Sequence, residues 1–119
     1  MQAVTTVNER TATTDSGEPV ALLSMKGDIS SASKEAILGA YHKLGSTVSR
    51  VLLDFTAVDY INSSGIAIII QMLLEATKAK SRSIGIFGLS SHFDKVFNMV
   101  GISKYATIYE NEAAALAVA

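Results

Sequence analysis

A nearly continuous apolar run at residues 50–55, RVLLDF, limits the folds open to this chain more than any other feature. A strand with one wet face alternates apolar and polar side chains, so a run without alternation needs cover on both faces. Strands of this kind are typical of parallel sheets packed between helices. A second short run at residues 83–88, SIGIFG, has the same character. We therefore expect an α/β fold.

The other segments extend this pattern into a regular alternation of strands and helices. Predicted strands lie at residues 4–14, 20–27, 50–55, 83–88 and 106–109. Predicted helices lie at residues 33–44 with Ser33 as the N-cap, from Ser63 or Ser64 to about Lys80, within 89–101, and at 111–119. This order predicts a mixed, mostly parallel sheet of about five strands with about four helices. No linker divides the chain, so we expect one domain over residues 1–119.

Composition excludes several classes of function. The net charge is −1 with no basic cluster, so we expect no nucleic-acid partner. The chain has no cysteine and only two histidines, and we predict neither a metal site nor a cofactor. The N-terminus does not resemble a secretory signal, and the most apolar stretch is shorter than the ~20 residues that cross a bilayer. We expect a cytoplasmic protein with no membrane partner.

The stretch DYINSSGI at residues 59–66 places three helix-capping residues, Asn62, Ser63 and Ser64, before Gly65. In one interpretation Asn62 or Ser63 caps the helix and the other polar groups are solvated. In another, a serine here is a phosphorylation site, because free N–H groups and a partial positive charge at a helix N-terminus favour an anion. Gly65 would then give a partner close access to the backbone.

An enzymatic alternative rests on Asp54 and Asp59, which flank the predicted end of the 50–55 strand. A receiver domain carries a phosphorylated aspartate at a strand end, but it also needs an acidic pair after its first strand, which is missing here. Hydrogen bonds to local backbone are the simpler interpretation of both aspartates. Phosphate-binding glycine motifs and the G-x-S-x-G hydrolase motif are also missing, so we predict no catalytic residues and no enzyme.

Three segments together resemble a STAS domain, and within that family a bacterial anti-sigma-factor antagonist. They are GDIS at residues 27–30, LLDFTAVDYINSSGI at 52–66 and FDKVFNMVGI at 93–102, and the resemblance covers nearly the whole chain. It implies a partner-switching protein that binds an anti-sigma factor, which is itself a serine kinase, or a related switch kinase. Phosphorylation releases this partner and a PP2C-type phosphatase restores binding, which links signal transduction to transcription regulation.

Carried over to this sequence, the resemblance implies that Ser63 is the phosphate acceptor, with Ser64 as the second choice. The partner-binding residues that it implies are Asp28, Ile29, Ser30, Ser31, Asn62, Ser63, Ser64, Gly65 and Ile66. The family pattern usually has aspartate where this chain has Ser30 and Asn62. These two exchanges motivate an alternative function, a STAS interaction module that is not switched and that serves a lipid-transport or signalling-scaffold complex.

Overall fold

The structure is a computed structural model that describes residues 5–78 and 82–117. Its element order is the predicted one, with the addition of 3₁₀ turns at Ser31–Ser33 and Ile102–Lys104. The strands are β1 (Thr6–Thr13), β2 (Pro19–Ile29), β3 (Arg50–Ile61), β4 (Ser83–Phe87) and β5 (Thr107–Ile108). The helices are α1 (Lys34–His42), α2 (Ser63–Lys78), α3 (Ser91–Met99) and α4 (Glu112–Leu116).

The five strands form one sheet in the order β1-β2-β3-β4-β5. Only the β1–β2 pair is antiparallel, and each later neighbour is parallel. The parallel strands advance across the sheet in one direction, so right-handed crossovers place α1, α2 and α3 on the same face. Residues of α4 instead join a separate cluster on the opposite face. The predicted mixed, mostly parallel α/β sheet is confirmed.

The apolar run of β3 is buried on both faces, as its sequence predicts. Leu53 is fully buried in the larger core, which lies between the sheet and α1–α3. Leu52 is 1% exposed and lies in the smaller cluster with Phe87 and Ala115 of α4. The two clusters therefore cover β3 from both faces, and β3 is the central strand of the sheet.

Helix α2 forms although its first turns are rich in β-branched residues, which favour strands. Its buried side chains follow helical spacing and pack against the sheet and α1: Ile68, Ile69, Met72, Leu73 and Ala76. Tertiary burial thus outweighs local propensity here. The helix is described to Lys78, and the last two residues of the predicted helix lie outside the described residues. Among the residues that the structure describes, no helix is long and apolar enough to cross a membrane.

Strand β3 runs six residues beyond its predicted end, to Ile61. The pairing with β2 continues along this extension with two register shifts, and the second shift leaves Asp59 without a pairing residue on β2. Such irregularities bend a strand and change the direction of its side chains. Asp59 and Tyr60 are therefore both exposed although they are adjacent in sequence. The extension brings the ends of β2 and β3 together.

Candidate functional site

The two segments that the sequence singles out lie side by side at the carboxyl edge of the sheet. Asp28 pairs with Tyr60, and Ile29 pairs with Ile61, in the last positions of the β2–β3 ladder. The N–H of Asn62 donates a hydrogen bond of 3.1 Å to the carbonyl of Ile29. The loop after β2 and the start of α2 therefore form one continuous surface.

Asn62 is the N-cap of α2, which decides between the two capping residues left open by the sequence. Its side-chain Oδ1 accepts a 2.8 Å hydrogen bond from the N–H of Gly65. Its backbone carbonyl accepts the first intrahelical bond, from the N–H of Ile66 at 3.0 Å. These bonds satisfy the third and fourth N–H groups of the helix start.

Ser63 and Ser64 are the first two residues of α2, and both are exposed. Within residues 5–78 and 82–117, neither hydroxyl has a hydrogen-bond partner, and neither of the two backbone N–H groups has an acceptor. Free N–H groups at a helix start, together with the helix dipole, favour negative charge. The arrangement therefore combines an accessible acceptor hydroxyl with donors that suit a phosphate group.

Gly65 has a different role from the one we predicted. It is buried, and a Cβ atom at this position would collide with the carbonyl oxygen of Ile29 and lie 2.9 Å from its Cγ2. The space that we assigned to a partner is thus filled from within the chain, and that prediction is wrong. The missing side chain lets the first turn of α2 pack directly on the end of β2.

The loop after β2 is held by serine side chains. Ser30 is the N-cap of the 3₁₀ turn: its Oγ accepts from the N–H of Ala32 at 3.3 Å, and its own N–H donates to Ser33 Oγ at 2.9 Å. Ser33 occupies the predicted N-cap position of α1, but its side chain makes no capping hydrogen bond there. Its hydroxyl is buried because it serves the preceding turn.

The remaining predicted contact residues differ in exposure. Ser31 is exposed, whereas Asp28, Ser30 and Ile66 are partly buried. Ile29 is fully buried, so the prediction that it contacts a partner directly is wrong. Together with Gly65, it supports the surface from beneath.

Tyr60 is a surface residue that the sequence reasoning does not identify. Its side chain is 56% exposed, and its ring packs edge-to-face on Phe93 of α3 with the ring centroids 6.0 Å apart. The sequence does contain a signal for it, because Tyr60 is an aromatic residue only two positions before Asn62. It is easily overlooked because a strand that ends at Phe55, as the sequence predicts, puts Tyr60 in a loop.

Asp54 does not occupy the strand-end position that a receiver-type aspartate requires. It lies within β3, seven residues before the end of the strand. Its carboxylate accepts hydrogen bonds from the N–H of Thr56 at 2.8 Å and from the hydroxyl of Ser24 at 3.2 Å. The bond to Thr56 is the local backbone contact of the simpler interpretation, whereas Ser24 lies on the neighbouring strand β2.

Comparison with known structures gives three informative neighbours. An anti-sigma factor antagonist from Mycobacterium paratuberculosis has a TM-score of 0.73 at 18% identity, over 93% of this chain and 92% of that chain. The phosphorylated form of the Bacillus cell fate determinant SpoIIAA has a TM-score of 0.60 at 17% identity, over 92% and 96%. The murine anion transporter Slc26a9 has a TM-score of 0.68 at 11% identity, over 98% of this chain but 22% of the transporter. At these identities the likeness concerns the fold.

Comparison at the level of sequence identifies the family. A search of curated protein sequences gives no match. A family model, however, matches residues 11–115, which include the β2–β3 ladder, the start of α2 and every predicted contact residue. The same segments carry the resemblance noted in the sequence, and the neighbouring structures have the same fold. The chain therefore belongs to the STAS domain family.

Proposed function

We propose that this chain is a STAS domain, over residues 1–119, that acts in the cytoplasm as an anti-sigma-factor antagonist without being an enzyme. In the unmodified state it binds an anti-sigma factor that is also a serine kinase, or a related switch kinase. Phosphorylation of Ser63 ends this binding, and a PP2C-type phosphatase restores it. Two solved neighbours, the Mycobacterium paratuberculosis protein and SpoIIAA, are anti-sigma factor antagonists, which supports the type of partner.

One observation carries the proposal: the hydroxyl of Ser63 is exposed at the first position of α2 and has no partner among the described residues, because Asn62 performs the capping. A serine that capped the helix would have its oxygen engaged by a backbone N–H, and modification would have to rearrange that bond. Here modification leaves the cap intact. Phosphorylation of Ser63 is therefore compatible with an unchanged fold.

The effect on the partner follows from charge. A phosphoserine carries about −1.5 to −2 charges at pH 7. The free N–H groups of Ser63 and Ser64 stabilise this charge within the chain, while the partner loses a neutral contact. A partner that lies closely on the unmodified helix start must then desolvate or repel the phosphate, which weakens binding.

The proposed contact surface is made of groups around Ser63 that are at least partly exposed. Ser31 and Ser64 contribute exposed hydroxyls, and Tyr60 contributes the largest exposed apolar area. Asp28, Ser30, Asn62 and Ile66 are partly buried and complete the surface. An aromatic centre with a polar rim is the usual composition of a specific protein interface.

The test is phosphate mapping. The protein is incubated with ATP and each switch-type serine kinase from its source genome, and the product is mapped by mass spectrometry. We expect phosphate on Ser63, its loss in Ser63→Ala, and its retention in the matched control Ser64→Ala. A chain that takes no phosphate on Ser63 or Ser64, and whose partner binding is unchanged by Ser63→Asp, contradicts the proposal.

A second candidate function is a STAS interaction module that is not switched, in a lipid-transport or signalling-scaffold complex. The presence of Asn62 and Ser30 where the family usually has aspartate favours it, as does the likeness to a segment of a transporter. Neighbouring genes separate the two candidates. A kinase or PP2C-type phosphatase gene next to this one supports the switch, whereas transporter genes support the module.

A further inference from the structure

A buried hydroxyl outside the candidate site connects the beginning of the described chain to the loop after β2. Thr5 lies directly before β1 and is only 8% exposed, and Ser33 of the 3₁₀ turn is 1% exposed. Their side-chain oxygens are in hydrogen-bond contact although the residues are 28 positions apart in sequence. Buried hydroxyls of this kind are costly unless they are paired, so the pair must stabilise the segments that it joins.

The two hydroxyls share one acceptor, the carbonyl of Asp28. The Thr5 hydroxyl donates to it at 2.6 Å, and Ser33 Oγ lies 3.4 Å from the same oxygen. The shorter of these two bonds uses the Thr5 proton, and the Ser33 hydroxyl then donates to Thr5 Oγ1. Ser33 Oγ in turn accepts from the N–H of Ser30 at 2.9 Å. The result is a continuous chain, Ser30 N–H to Ser33 to Thr5 to Asp28, that closes the loop upon itself, and such chains strengthen each member.

The closed loop is directly attached to the start of α2. Ile29 lies inside the loop, and its carbonyl accepts from Asn62 N–H and contacts Gly65. A displacement of the loop therefore moves the surface on which Ser63 sits. Thr5 precedes β1, and the contacts of its hydroxyl within the described residues are with Asp28 and Ser33, so the hydroxyl serves the loop.

We propose that Thr5 is a positioning residue for the partner-binding surface: its hydroxyl holds the Asp28–Ser33 loop, and through Ile29 the start of α2, in the geometry that the partner recognises. The proposal rests on the proposed function for the identity of the partner. The hydrogen bonds that link Thr5 to the loop do not depend on the proposed function, and their effect can be measured in the free protein.

The matched variants are Thr5→Val, which keeps the shape and removes the hydroxyl, and Thr5→Ser, which keeps the hydroxyl. Hydrogen exchange of the free protein measures the loop directly through the N–H groups of Ser30 and Asn62. We expect exchange about three- to tenfold faster at both positions in Thr5→Val, the range that corresponds to one lost hydrogen bond, and exchange near that of the unmodified protein in Thr5→Ser.

The second readout is kinetic and uses the serine kinase found by phosphate mapping. For Thr5→Val as substrate, we expect KM to rise about three- to tenfold while kcat stays within about twofold, since the acceptor hydroxyl itself is untouched. Thr5→Ser should restore KM. A role limited to global stability would leave KM unchanged at temperatures where both variants are folded.

Ser33→Ala provides an independent test and a safeguard in case Thr5→Val folds poorly. It removes the contact between the two hydroxyls but leaves the Thr5–Asp28 bond, and it removes the acceptor of Ser30 N–H, so only Asn62 N–H is an informative readout in this variant. We expect faster exchange at Asn62 in Ser33→Ala, and a smaller added effect of Thr5→Val in the double variant than in the single one. Unchanged exchange at Ser30 and Asn62 in Thr5→Val, or unchanged exchange at Asn62 in Ser33→Ala where Thr5→Val does not fold, would overturn the positioning role. A faster exchange with no kinase that accepts the chain as substrate would leave the loop contact supported and would instead contradict the proposed function.

Discussion

Helices α1 and α2 begin next to each other at the carboxyl edge of the sheet, and both starts are rich in serine, yet the serines are used in different ways. In the 3₁₀ turn that leads into α1, Ser30 and Ser33 are engaged in a reciprocal capping box. At the start of α2, Asn62 alone makes the cap, and Ser63 and Ser64 remain exposed. The first group of hydroxyls serves the fold, and the second is available to another molecule.

Residue type alone therefore does not identify a modification site. What separates Ser33 from Ser63 is the presence of a competing acceptor or donor in the folded chain. The hydroxyl of Ser33 forms hydrogen bonds with Thr5 and Ser30. At the start of α2, by contrast, the amide side chain of Asn62 caps the helix in place of Ser63. A free hydroxyl at a helix start that is already capped is therefore the feature that carries the proposed switch.

The largest expected effect comes from charge at the free helix start. Ser63→Asp should weaken binding of the kinase partner at least about 100-fold, because a desolvated or repelled charge in an interface costs several kcal/mol. Ser91→Asp is the matched control. Like Ser63, Ser91 is the exposed first residue of a helix that the preceding residue caps, which is Ser90 in α3. Calorimetric titration gives both affinities. Equal weakening by the two variants would remove the special position of α2.

Gly65 and Gly39 form the next comparison, because both lie in helices and only one is packed. Gly65→Ala should lower the free energy of unfolding by about 2–3 kcal/mol, since its methyl group would collide with the backbone of Ile29. No atom of a neighbouring element lies within 4 Å of the position that a methyl group would take at Gly39, so Gly39→Ala should instead raise stability by about 0.5–1 kcal/mol. Urea denaturation measures both, and a tolerated Gly65→Ala would contradict the close packing.

The serines themselves provide the third comparison. Ser33→Ala should cost about 1–2 kcal/mol, because it leaves the buried groups of Thr5 and Ser30 without their partner. Ser64→Ala should change stability by less than about 0.5 kcal/mol, as is usual for an exposed side chain. If the two variants unfold at the same urea concentration, the engaged hydroxyl of Ser33 contributes no more to stability than the exposed hydroxyl of Ser64, which contradicts the comparison.

The smallest expected effects concern the cap of α2. Asn62→Ala should cost about 1 kcal/mol through loss of the bond to Gly65 N–H. Asn62→Asp keeps this bond and places a negative charge at the helix start, so it should gain about 0.5 kcal/mol at neutral pH. Thermal unfolding of the two variants measures the difference. A loss of stability in Asn62→Asp would show that the side chain serves as more than an acceptor.

Local sequence patterns are sufficient for the order of elements and for several boundaries. The apolar run of β3, the helical spacing in α3 and the glycine that ends α3 each depend on short segments, and Gly101 indeed has a left-handed φ of 85°. Patterns of this kind need no knowledge of distant residues. The sheet and its helices can therefore be predicted before any contact is known.

The errors have a common physical cause, which is contact between residues far apart in sequence. The sequence places Ser33 at the N-cap position of α1, but it does not show that the hydroxyl is engaged by Ser30 and by Thr5, 28 positions away, instead of capping the helix. It assigns Gly65 to a partner because nothing local places Ile29 beneath it. It ends β3 too early because register shifts depend on the pairing with β2. Details of the site therefore require the fold.

The switch at Ser63 is tested by comparing three forms of the protein: unmodified, with phosphoserine at position 63, and with phosphoserine at position 64. Each is titrated against the kinase found by phosphate mapping. We predict that the unmodified form binds, that phosphate on Ser63 reduces affinity at least about 100-fold, and that phosphate on Ser64 has a smaller effect. Equal affinity of the unmodified and Ser63-phosphorylated forms would contradict the proposal that phosphate on Ser63 ends partner binding.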